Sequence, residues 1–287
     1  MKEQTLFGTT TGHLEIPNVA QVPQYSPLRY PGGKSRWYPF VKRWLRPKPE
    51  NAVFVEPFAG GSSMGLAAGI EELVEKVILV EKNKDVGAFW KTVLEKPEWL
   101  IEQIQSFEVS RENVEEVFSK DGVDEYQRGF LLLLHNRMSR GGITADGGGL
   151  MKNGEKGKGL QSRWYPDTLA QRIHTIAEHR DRFEFIWGNG IEVMKDQLNN
   201  DAASFFVDPP YTVAGERLYD NSEVDHEGLF DLMARLEGDF LATYDDAEQI
   251  RKLADEYGFQ TEEILMSTTH HEKKFELLID GSFEWLN

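Results

Sequence analysis

The sequence predicts an α/β fold with a mainly parallel sheet, interrupted by a helical and glycine-rich insertion. Two observations support this class. Short apolar runs typical of buried strands alternate with longer stretches of helical periodicity, which is the pattern of parallel α/β sheets. Midway along the chain, helices lead into a long segment of glycine and basic residues. A chain of 287 residues, 40% of them hydrophobic, can bury the core that this fold needs.

Composition excludes several kinds of site. The chain has no cysteine, so disulfides, thiolate zinc sites and cysteine nucleophiles are excluded. No apolar run approaches the length of a membrane span, and residues 1–30 have neither a basic start nor a hydrophobic centre. We therefore expect a cytoplasmic protein that does not contact membranes.

The net charge of −16 is unevenly distributed. Pro27–Pro49 holds seven lysines or arginines and no acid, and Tyr126–Arg182 holds ten against five acids. These windows sum to +12, so the rest of the chain carries −28. A nucleic-acid surface needs a local basic face rather than a basic average, and these windows can supply one. Charges scattered over a solvated surface are the alternative.

The N-terminal part contains a basic turn. Residues 1–25 are polar and lack periodicity, and no function is assigned to them. Leu28–Arg36, L-R-Y-P-G-G-K-S-R, predicts a Pro/Gly turn that leads into an amphipathic helix through Leu45. Its Lys34 is either an ordinary surface lysine or a group that meets a ligand carboxylate.

A strand, a glycine-rich turn and a helix follow. Ala52–Pro57 predicts a buried strand, Phe58–Gly65 a turn, and Met64–Leu73 a helix, although the turn is neither G-x-G-x-x-G nor a P-loop. A third strand, Val77–Val80, ends at Glu81, about twenty residues after the glycines. In Rossmann-like sites an acid at this place accepts ribose hydroxyls, whereas capping the next helix is the alternative.

The middle of the chain is predicted to be the insertion. Residues 86–118 and Tyr126–Met138 have helical periodicity, and Ser139–Ser162 is a glycine-rich loop or hairpin of the kind that compact domains keep for function. Asp167 or Thr168 then caps a helix over Leu169–His179. We expect Trp164 and Tyr165 to pack at a hinge rather than to stack on bases.

The remaining elements alternate again. We predict strands over Phe183–Trp187, which ends in Gly188-Asn189-Gly190, over Phe240–Thr243, and over Phe275–Ile279 among the last residues. We predict helices over Val224–Leu236 and Ala247–Tyr257, on either side of the strand Phe240–Thr243.

The most informative stretch is Ser204–Tyr211, S-F-F-V-D-P-P-Y. Its apolar start predicts a buried strand, and two prolines forbid the strand from continuing. The turn therefore fixes the carboxylate of Asp208, the carbonyl of Pro209 and the ring of Tyr211 at the carboxyl edge of the sheet, where open α/β folds bind ligands. A proline-stiffened strand exit without chemistry is the alternative.

Together these motifs resemble the Dam-like family of adenine-N6 DNA methyltransferases, from about Leu28 to Ile279. The resemblance rests on Y-P-G-G-K, F-V-E-P-F-A-G-G-S and V-D-P-P-Y in that order, with weaker support from the terminal E-L-L-I. It implies a Rossmann-like, S-adenosylmethionine-dependent methyltransferase sheet with an inserted, mainly helical target-recognition domain. The catalytic domain would comprise residues 1–105 and 175–287, and the insertion residues 106–174.

Three groups of site residues follow by position. The catalytic group is Asp208, Pro209, Pro210 and Tyr211. The group expected to bind S-adenosylmethionine and its product S-adenosylhomocysteine is Tyr30, Gly33, Lys34, Glu56, Phe58, Gly60, Gly61, Glu81, Asn189 and Asp208. The group expected to bind duplex DNA is Arg137, Arg140, Lys152, Lys156 and Lys158. No metal is expected in the reaction.

The sequence departs from the family pattern at three places. Tyr30 replaces the usual tryptophan, and Glu81 replaces the usual aspartate. The F-N-x-P-F-G hairpin pattern is missing after Asn136-Arg137. The last departure leaves the reaction intact, but a GATC specificity cannot be carried over.

The expected chemistry explains the residue types. The amino lone pair of adenine is delocalised into the ring, so two acceptors, the Asp208 carboxylate and the Pro209 carbonyl, must hold its N–H groups and turn the lone pair toward the methyl group. A base inside a duplex cannot reach this turn, so we expect base flipping and stacking on Tyr211. Gly60 and Gly61 would admit the methionine part of the cofactor.

Other functions remain open at this point. An RNA methyltransferase or a protein-amide methyltransferase could use a similar turn, although the latter usually has asparagine in place of Asp208. In a non-enzymatic DNA-binding regulatory module, the residues that bind the cofactor would have been replaced by residues that cannot. The expected partner is double-stranded DNA. The enzyme is either an orphan or part of a restriction-modification system, in which case a cognate restriction enzyme is a second partner. The expected oligomeric state is a monomer or a weak dimer.

Overall fold

The computed structural model describes residues 14–15, 17, 19–29, 34–49, 51–139, 149–152, 154, 157–210, 224–267 and 273–286. Within these residues eight strands form one sheet: β1 (Leu14–Glu15), β2 (Val53–Glu56), β3 (Lys76–Glu81), β4 (Phe183–Trp187), β5 (Ala203–Val207), β6 (Asp239–Asp245), β7 (Gln260–Ser267) and β8 (Lys273–Asp280). The α-helices of the same stretches are α1 (Tyr38–Leu45), α2 (Ser63–Ile70), α3 (Lys84–Glu95), α4 (Pro97–Ser106), α5 (Arg111–Phe118), α6 (Glu125–Met138), α7 (Pro166–Glu178), α8 (Gly190–Asp196), α9 (His226–Ala234) and α10 (Glu248–Glu256).

The strand order is β1-β7-β8-β6-β5-β2-β3-β4. The pairs β6–β8 and β7–β8 are antiparallel, and the other neighbouring pairs are parallel. From β2 the chain runs outward to β3 and β4, and it then returns to build β5 and β6 on the other side. The order therefore reverses between β2 and β5, at a switch point of the kind where α/β sheets bind ligands. The predicted mainly parallel, Rossmann-like α/β sheet is confirmed.

The central strands are buried on both faces, and their side chains alternate between two apolar layers. Phe54 of β2 and Phe206 of β5 stack in one layer, with ring centroids 6.4 Å apart. Val55, Phe205 and Val207 point to the other layer, which α9 and α10 cover. This alternation follows from the period of two in a strand. Burial on both faces explains why β5 is a continuous apolar run in the sequence.

The helices of the predicted insertion pack on the same apolar layer as α3. Asp124 and Gln127 begin α6 with a capping box, and Leu133 and Phe89 belong to one core. The predicted boundaries at 105/106 and 174/175 fall inside α4 and α7, so the division into domains stays a prediction.

The loop that follows α6 begins as a hairpin. Ser139 pairs antiparallel with Leu150, and the amide of Met151 donates to the carbonyl of Met138 at 2.9 Å. Residues 140–148 lie outside the described residues. Trp164, at the far end of the segment, is buried edge-on against Phe107, as expected of hinge packing.

Three elements correct the prediction, and one of them is α8 (Gly190–Asp196), which was not predicted. Strand β7 was not predicted, because its T-E-E start lacks the alternation of a half-buried strand; pairing with β8 and β1 holds it in place. Helix α7 begins at Pro166, so neither Asp167 nor Thr168 caps it. The fixed φ of a proline at the first helical position favours this earlier start. None of the helices in the described stretches is both long and apolar enough to cross a bilayer.

Candidate active site

Parallel strands bring the conspicuous polar residues of the sequence to one edge of the sheet. Glu56 ends β2, Glu81 ends β3, Asn189 follows β4, and Asp208 follows β5. These four strands are neighbours, and their carboxyl ends lie at the same edge because they are parallel. A single cavity of about 1170 Å³, here called the switch-point cavity, is lined by all four residues.

Asp208 lies in the wall of the cavity with its two carboxylate oxygens in different surroundings. Oδ1 accepts a hydrogen bond from Thr243 Oγ1 at 2.8 Å and lies 3.3 Å from Lys34 Nζ. No hydrogen bond from the described part of the chain reaches Oδ2. The side chain keeps 25% of its surface accessible. Burial raises the pKa of Asp208 above its ordinary value, while Lys34 and Thr243 oppose that rise. The carboxylate is thus held by one oxygen and open at the other.

Lys34 is buried, so the expectation of an ordinary surface lysine is wrong, while its contact with a ligand carboxylate stays a prediction. Its side chain is 4% exposed, and its Nζ lies between Asp208 Oδ1 and Glu276 Oε2, the latter at 3.2 Å. It is not a surface lysine, and the carboxylates that it meets belong to the protein. Burial raises the pKa of Glu276, which Lys34 partly offsets. Lys34 therefore joins the end of β5 to β8.

Glu276 was missed by the sequence reasoning. A charged residue inside the apolar run F-E-L-L-I was the available signal, because carboxylates are rarely buried without a partner. The partner could not be known in advance, since Lys34 lies 242 residues away along the chain.

Glu56 is buried at the carboxyl end of β2 and lines the switch-point cavity. Its Oε2 accepts hydrogen bonds from Ser62 Oγ at 2.8 Å and from the amide of Gly65 at 3.0 Å. Burial raises its pKa to about 8, and Asp208 adds to the rise. A Cβ on Gly65 would lie 2.6 Å from the same Oε2, which explains why glycine is needed there. Glu56 shapes the glycine-rich turn from inside.

Glu81 fastens the same turn from the next strand. Its Oε2 accepts from the amide of Gly60 at 2.9 Å, and its Oε1 accepts from the amide of Asn83 at 2.7 Å. The side chain of Asn83, not Glu81, caps α3, so the capping alternative for Glu81 is wrong. Burial raises the pKa of Glu81. Glu81 also lines the switch-point cavity.

Asn189 begins the short helix α8. Its Oδ1 accepts from the amide of Ile191 at 3.0 Å. The next residue, Gly190, touches the turn after β2, because a Cβ there would lie 1.9 Å from the carbonyl oxygen of Pro57. Gly190 was not singled out in the sequence, although its place in G-N-G was a signal.

The cavity gathers most of the predicted catalytic and cofactor residues. Those that line it are Lys34, Glu56, Phe58, Gly60, Gly61, Glu81, Asn189, Asp208, Pro209 and Pro210. Tyr30, Gly33 and Tyr211 lie outside the described residues, as do Arg140 and Lys156 of the predicted DNA group.

Arg137, which is predicted to contact DNA at the base of the loop, is a buried residue, and its contact with DNA stays a prediction. It is 5% exposed, it lines the switch-point cavity, and its Nη2 donates to the carbonyl of Pro27. The preceding Asn136 exchanges two hydrogen bonds of 2.8 Å with the backbone of Arg29. This pair therefore ties α6 to the N-terminal segment, because both side chains turn inward. Lys152 and Lys158 are exposed and remain predicted DNA contacts.

Comparison with known proteins identifies a family. The model of the family described as D12 class N6 adenine-specific DNA methyltransferase matches residues 30–269. A DNA N-6-adenine-methyltransferase of Escherichia phage P1 is 25% identical over 271 residues, which cover 89% of this chain and 34% of that protein. The chain thus spans about a third of the length of this curated relative.

Solved structures with a similar course of the chain are more distant. An rRNA methyltransferase from Streptomyces viridochromogenes is 13% identical with a TM-score of 0.41, and the match covers 88% of this chain and 86% of that one. A SAM-dependent methyltransferase from Agrobacterium tumefaciens is 9% identical with a TM-score of 0.40, and the match covers 86% of this chain and 60% of that one.

Proposed function

Because the chain belongs to the D12 class N6 adenine-specific DNA methyltransferase family, we propose that it transfers a methyl group from S-adenosylmethionine to N6 of adenine at specific sites in duplex DNA. The observation that carries the proposal is the half-open carboxylate of Asp208. Its Oδ1 is held by Thr243 and Lys34, its Oδ2 has no hydrogen-bond partner among the described residues, and Asp208 lines the switch-point cavity.

The cavity residues fit S-adenosylmethionine. The cofactor carries an organic cation, the sulfonium, and the carboxyl groups of Glu81 and Asp208 line the cavity together with basic residues such as Lys34. The turn at Gly60 and Gly61 has no side chains to fill the space, and a cavity of about 1170 Å³ has room for a cofactor and a base. Glu81 would accept hydroxyl hydrogens of the ribose, and Asn189 would contact the adenosine part.

When bound, S-adenosylmethionine supplies an electrophilic methyl group. The chain supplies the orientation of the amine. Asp208 Oδ2 accepts one N–H of the adenine amino group and the Pro209 carbonyl accepts the other, so the nitrogen lone pair is directed away from both acceptors. Thr243 and Lys34 keep the Asp208 carboxylate from rotating, because both hold the same oxygen.

The site lies in a cavity, so an adenine stacked inside a duplex cannot reach it. We therefore propose that the target base is flipped out of the helix, with Tyr211 as a stacking face. The exposed Lys152 and Lys158 would grip phosphates beside the site. A role beside a cognate restriction enzyme, a monomeric or weakly dimeric state, and a DNA-associated place in the cytoplasm belong to the same proposal.

A methyl-transfer assay tests the function. Purified protein is incubated with labelled S-adenosylmethionine and with duplex DNA, structured RNA or a protein mixture, and Asp208→Ala serves as the inactive control. We expect label in N6-methyladenine of duplex DNA only. Label in RNA or in protein amides, or none with any acceptor while the cofactor binds, would overturn the assignment. Methylation sequencing of DNA from expressing cells then identifies the site.

A further inference from the structure

Two arginines from the predicted recognition insertion reach the wall of the switch-point cavity. Arg137 stands at the end of α6, and Arg172 stands in the middle of α7. Both line the cavity. Arg137 is buried and Arg172 is half-buried, and the two lie near enough for the charge of Arg172 to act on Arg137. We call these two residues the arginine pair.

The arginine pair carries charge that no carboxylate offsets. In the described part of the chain, no acidic side chain forms an ion pair with either residue, although Arg29 and Arg163 lie near enough to repel Arg137. Burial and the charges of Arg172, Arg29 and Arg163 lower the pKa of Arg137 to about 9. Both groups are therefore cationic at neutral pH, and the protein bears the cost of keeping them together.

Hydrogen bonds within the protein occupy few of the N–H donors of the arginine pair. Arg137 Nη2 donates to the carbonyl of Pro27, and Arg172 Nη1 donates to the carbonyl of Ser26 at 2.7 Å. A guanidinium has five N–H donors. Nε of Arg137 is buried and has no acceptor among the described residues. A buried donor without an acceptor costs about 1–3 kcal/mol, so an acceptor from outside the chain is expected.

We propose that the arginine pair binds a phosphodiester group of the strand whose adenine enters the switch-point cavity. The inference rests on the proposed function, because a phosphate reaches this wall only if a nucleotide is extruded. Guanidinium groups match the fork of phosphate oxygens, and their positive charges attract the single negative charge of a phosphodiester. Tyr165, which is 50% exposed and lines the same wall, leaves a face for the neighbouring sugar or base.

The position of the pair favours phosphate over the carboxylate of the cofactor. Glu56, Glu81 and Asn189, which surround the proposed cofactor place, stand at the ends of β2 to β4. The arginine pair instead comes from α6 and α7, on the recognition side of the cavity. A clamp on the backbone next to the flipped base would stabilise the extruded state without reading sequence.

The test uses a duplex that contains the methylation site, with single methylphosphonate linkages that neutralise one phosphate at a time around the target adenine. Binding is measured by fluorescence anisotropy over a range of salt concentrations for the wild-type protein, Arg172→Ala and Arg172→Lys. Arg180→Ala is the matched control, because Arg180 is an exposed arginine that follows α7 and does not line the cavity. Melting temperature and cofactor affinity report on the fold.

For the wild-type protein we expect one linkage beside the target adenine to weaken binding about tenfold when neutralised, the scale of a lost charge-assisted hydrogen bond. In Arg172→Ala this linkage should have less than a twofold effect, and the slope of log K against log salt should fall by about 0.9. Arg180→Ala should retain the tenfold effect. The wild-type measurement needs no variant, so it holds even if Arg172→Ala does not fold.

Other outcomes overturn the inference. If no linkage next to the adenine matters to the wild-type protein, or if the same linkage matters equally in Arg172→Ala, the arginine pair does not bind it. If Arg172→Ala loses affinity for S-adenosylmethionine in the absence of DNA and binds duplexes normally, the anionic group that the arginine pair binds is the carboxylate of the cofactor. If the wild-type protein methylates no DNA, the proposed function itself is wrong. If it methylates DNA but the arginine pair has no effect on binding at the neutralised linkage, only this inference is wrong.

Discussion

At the scale of residues, the carboxyl groups of the site differ in the protein groups that hydrogen-bond to their oxygens. Glu56 accepts from the amide of Gly65 and Glu81 from the amide of Gly60, both in the glycine-rich turn, and Glu81 also accepts from the amide of Asn83 before α3. Asp208 has one oxygen held by Thr243 and Lys34 and the other open. The first two therefore maintain the shape of the cavity, while the third is available to a substrate amine.

Asp208→Ala should abolish methyl transfer while preserving the fold, because it removes an acceptor for the reacting amine. The loss in kcat should be on the order of 10²-fold or more, the scale of one well-placed transition-state hydrogen bond. Asp208→Asn should lose less, since its carbonyl still accepts one hydrogen bond. Single-turnover assays measure the effect, and a folded Asp208→Ala with near wild-type kcat would remove Asp208 from the reaction.

The pKa of Glu56 predicts a pH dependence of stability. The carboxyl has an ordinary pKa of 4.5, which burial raises to about 8 in the folded protein. Between these values the folded protein binds more protons than the unfolded chain, so the contribution of Glu56 to the free energy of unfolding falls as pH rises. Glu56→Gln keeps the acceptor for Ser62 and Gly65 but does not ionise.

The difference in unfolding free energy between Glu56→Gln and the wild-type protein should therefore grow in favour of the variant from about pH 5 to pH 8. The change is at most about 1.4 kcal/mol per pH unit. Urea titrations at several pH values measure this difference between the two proteins. Parallel curves for the two proteins would mean that Glu56 titrates normally.

At the scale of elements, the ends of the strands depend on short pieces that fit closely together. Helix α8 has only seven residues, yet it places Asn189 in the cavity wall. Its first residue, Gly190, meets the backbone of Pro57 after β2, which ties the end of β4 to the start of the glycine-rich turn. The two loops therefore pack directly against each other.

Gly190→Ala should damage both stability and cofactor binding. Its Cβ would lie 1.9 Å from a backbone oxygen, which cannot swing away as a side chain could. We expect a loss of roughly 1–3 kcal/mol in the free energy of unfolding, typical of overpacking, and weaker S-adenosylmethionine binding by calorimetry. Gly281→Ala is the control, because nothing lies within 4 Å of its Cβ. Equal results for the two variants would contradict the fit described here.

At the scale of the whole molecule, basic and acidic residues are concentrated in different parts of the chain, so the net charge does not describe any one surface. The chain carries −16 overall, but the windows Pro27–Pro49 and Tyr126–Arg182 are basic. Some of this basic charge is internal, as at Lys34 and Arg137, while Lys152 and Lys158 are exposed. The acidic remainder would repel DNA, so binding should depend on a small basic face and on salt.

Lys152→Ala and Lys158→Ala should each weaken binding to all duplexes alike. Each lost phosphate contact should flatten the slope of log K against log salt by about 0.9, with the preferred methylation site unchanged. Lys252→Ala is the control, since it removes the same charge from an exposed position in α10. Slopes for the two loop variants that match the control would place DNA recognition in the flanking helices instead.

The sequence by itself determined the strand ends and the nature of the site. Apolar runs cut short by proline or glycine are local signals, so β2, β3 and β5 and the groups that follow them were predicted from their own residues. The D-P-P turn, Glu81 and the glycine-rich turn were found in this way, and all lie in one cavity.

Only the tertiary structure decided how those groups are used. The partnership of Lys34 with Asp208 and Glu276 joins residues as far as 242 positions apart, and it exists because β5, β6 and β8 are adjacent in the sheet. The inward turn of Arg137 depends likewise on the N-terminal segment packing over α6. Local periodicity encodes which face of an element is apolar, but the partner of a buried charge is fixed by strand order and packing between distant segments.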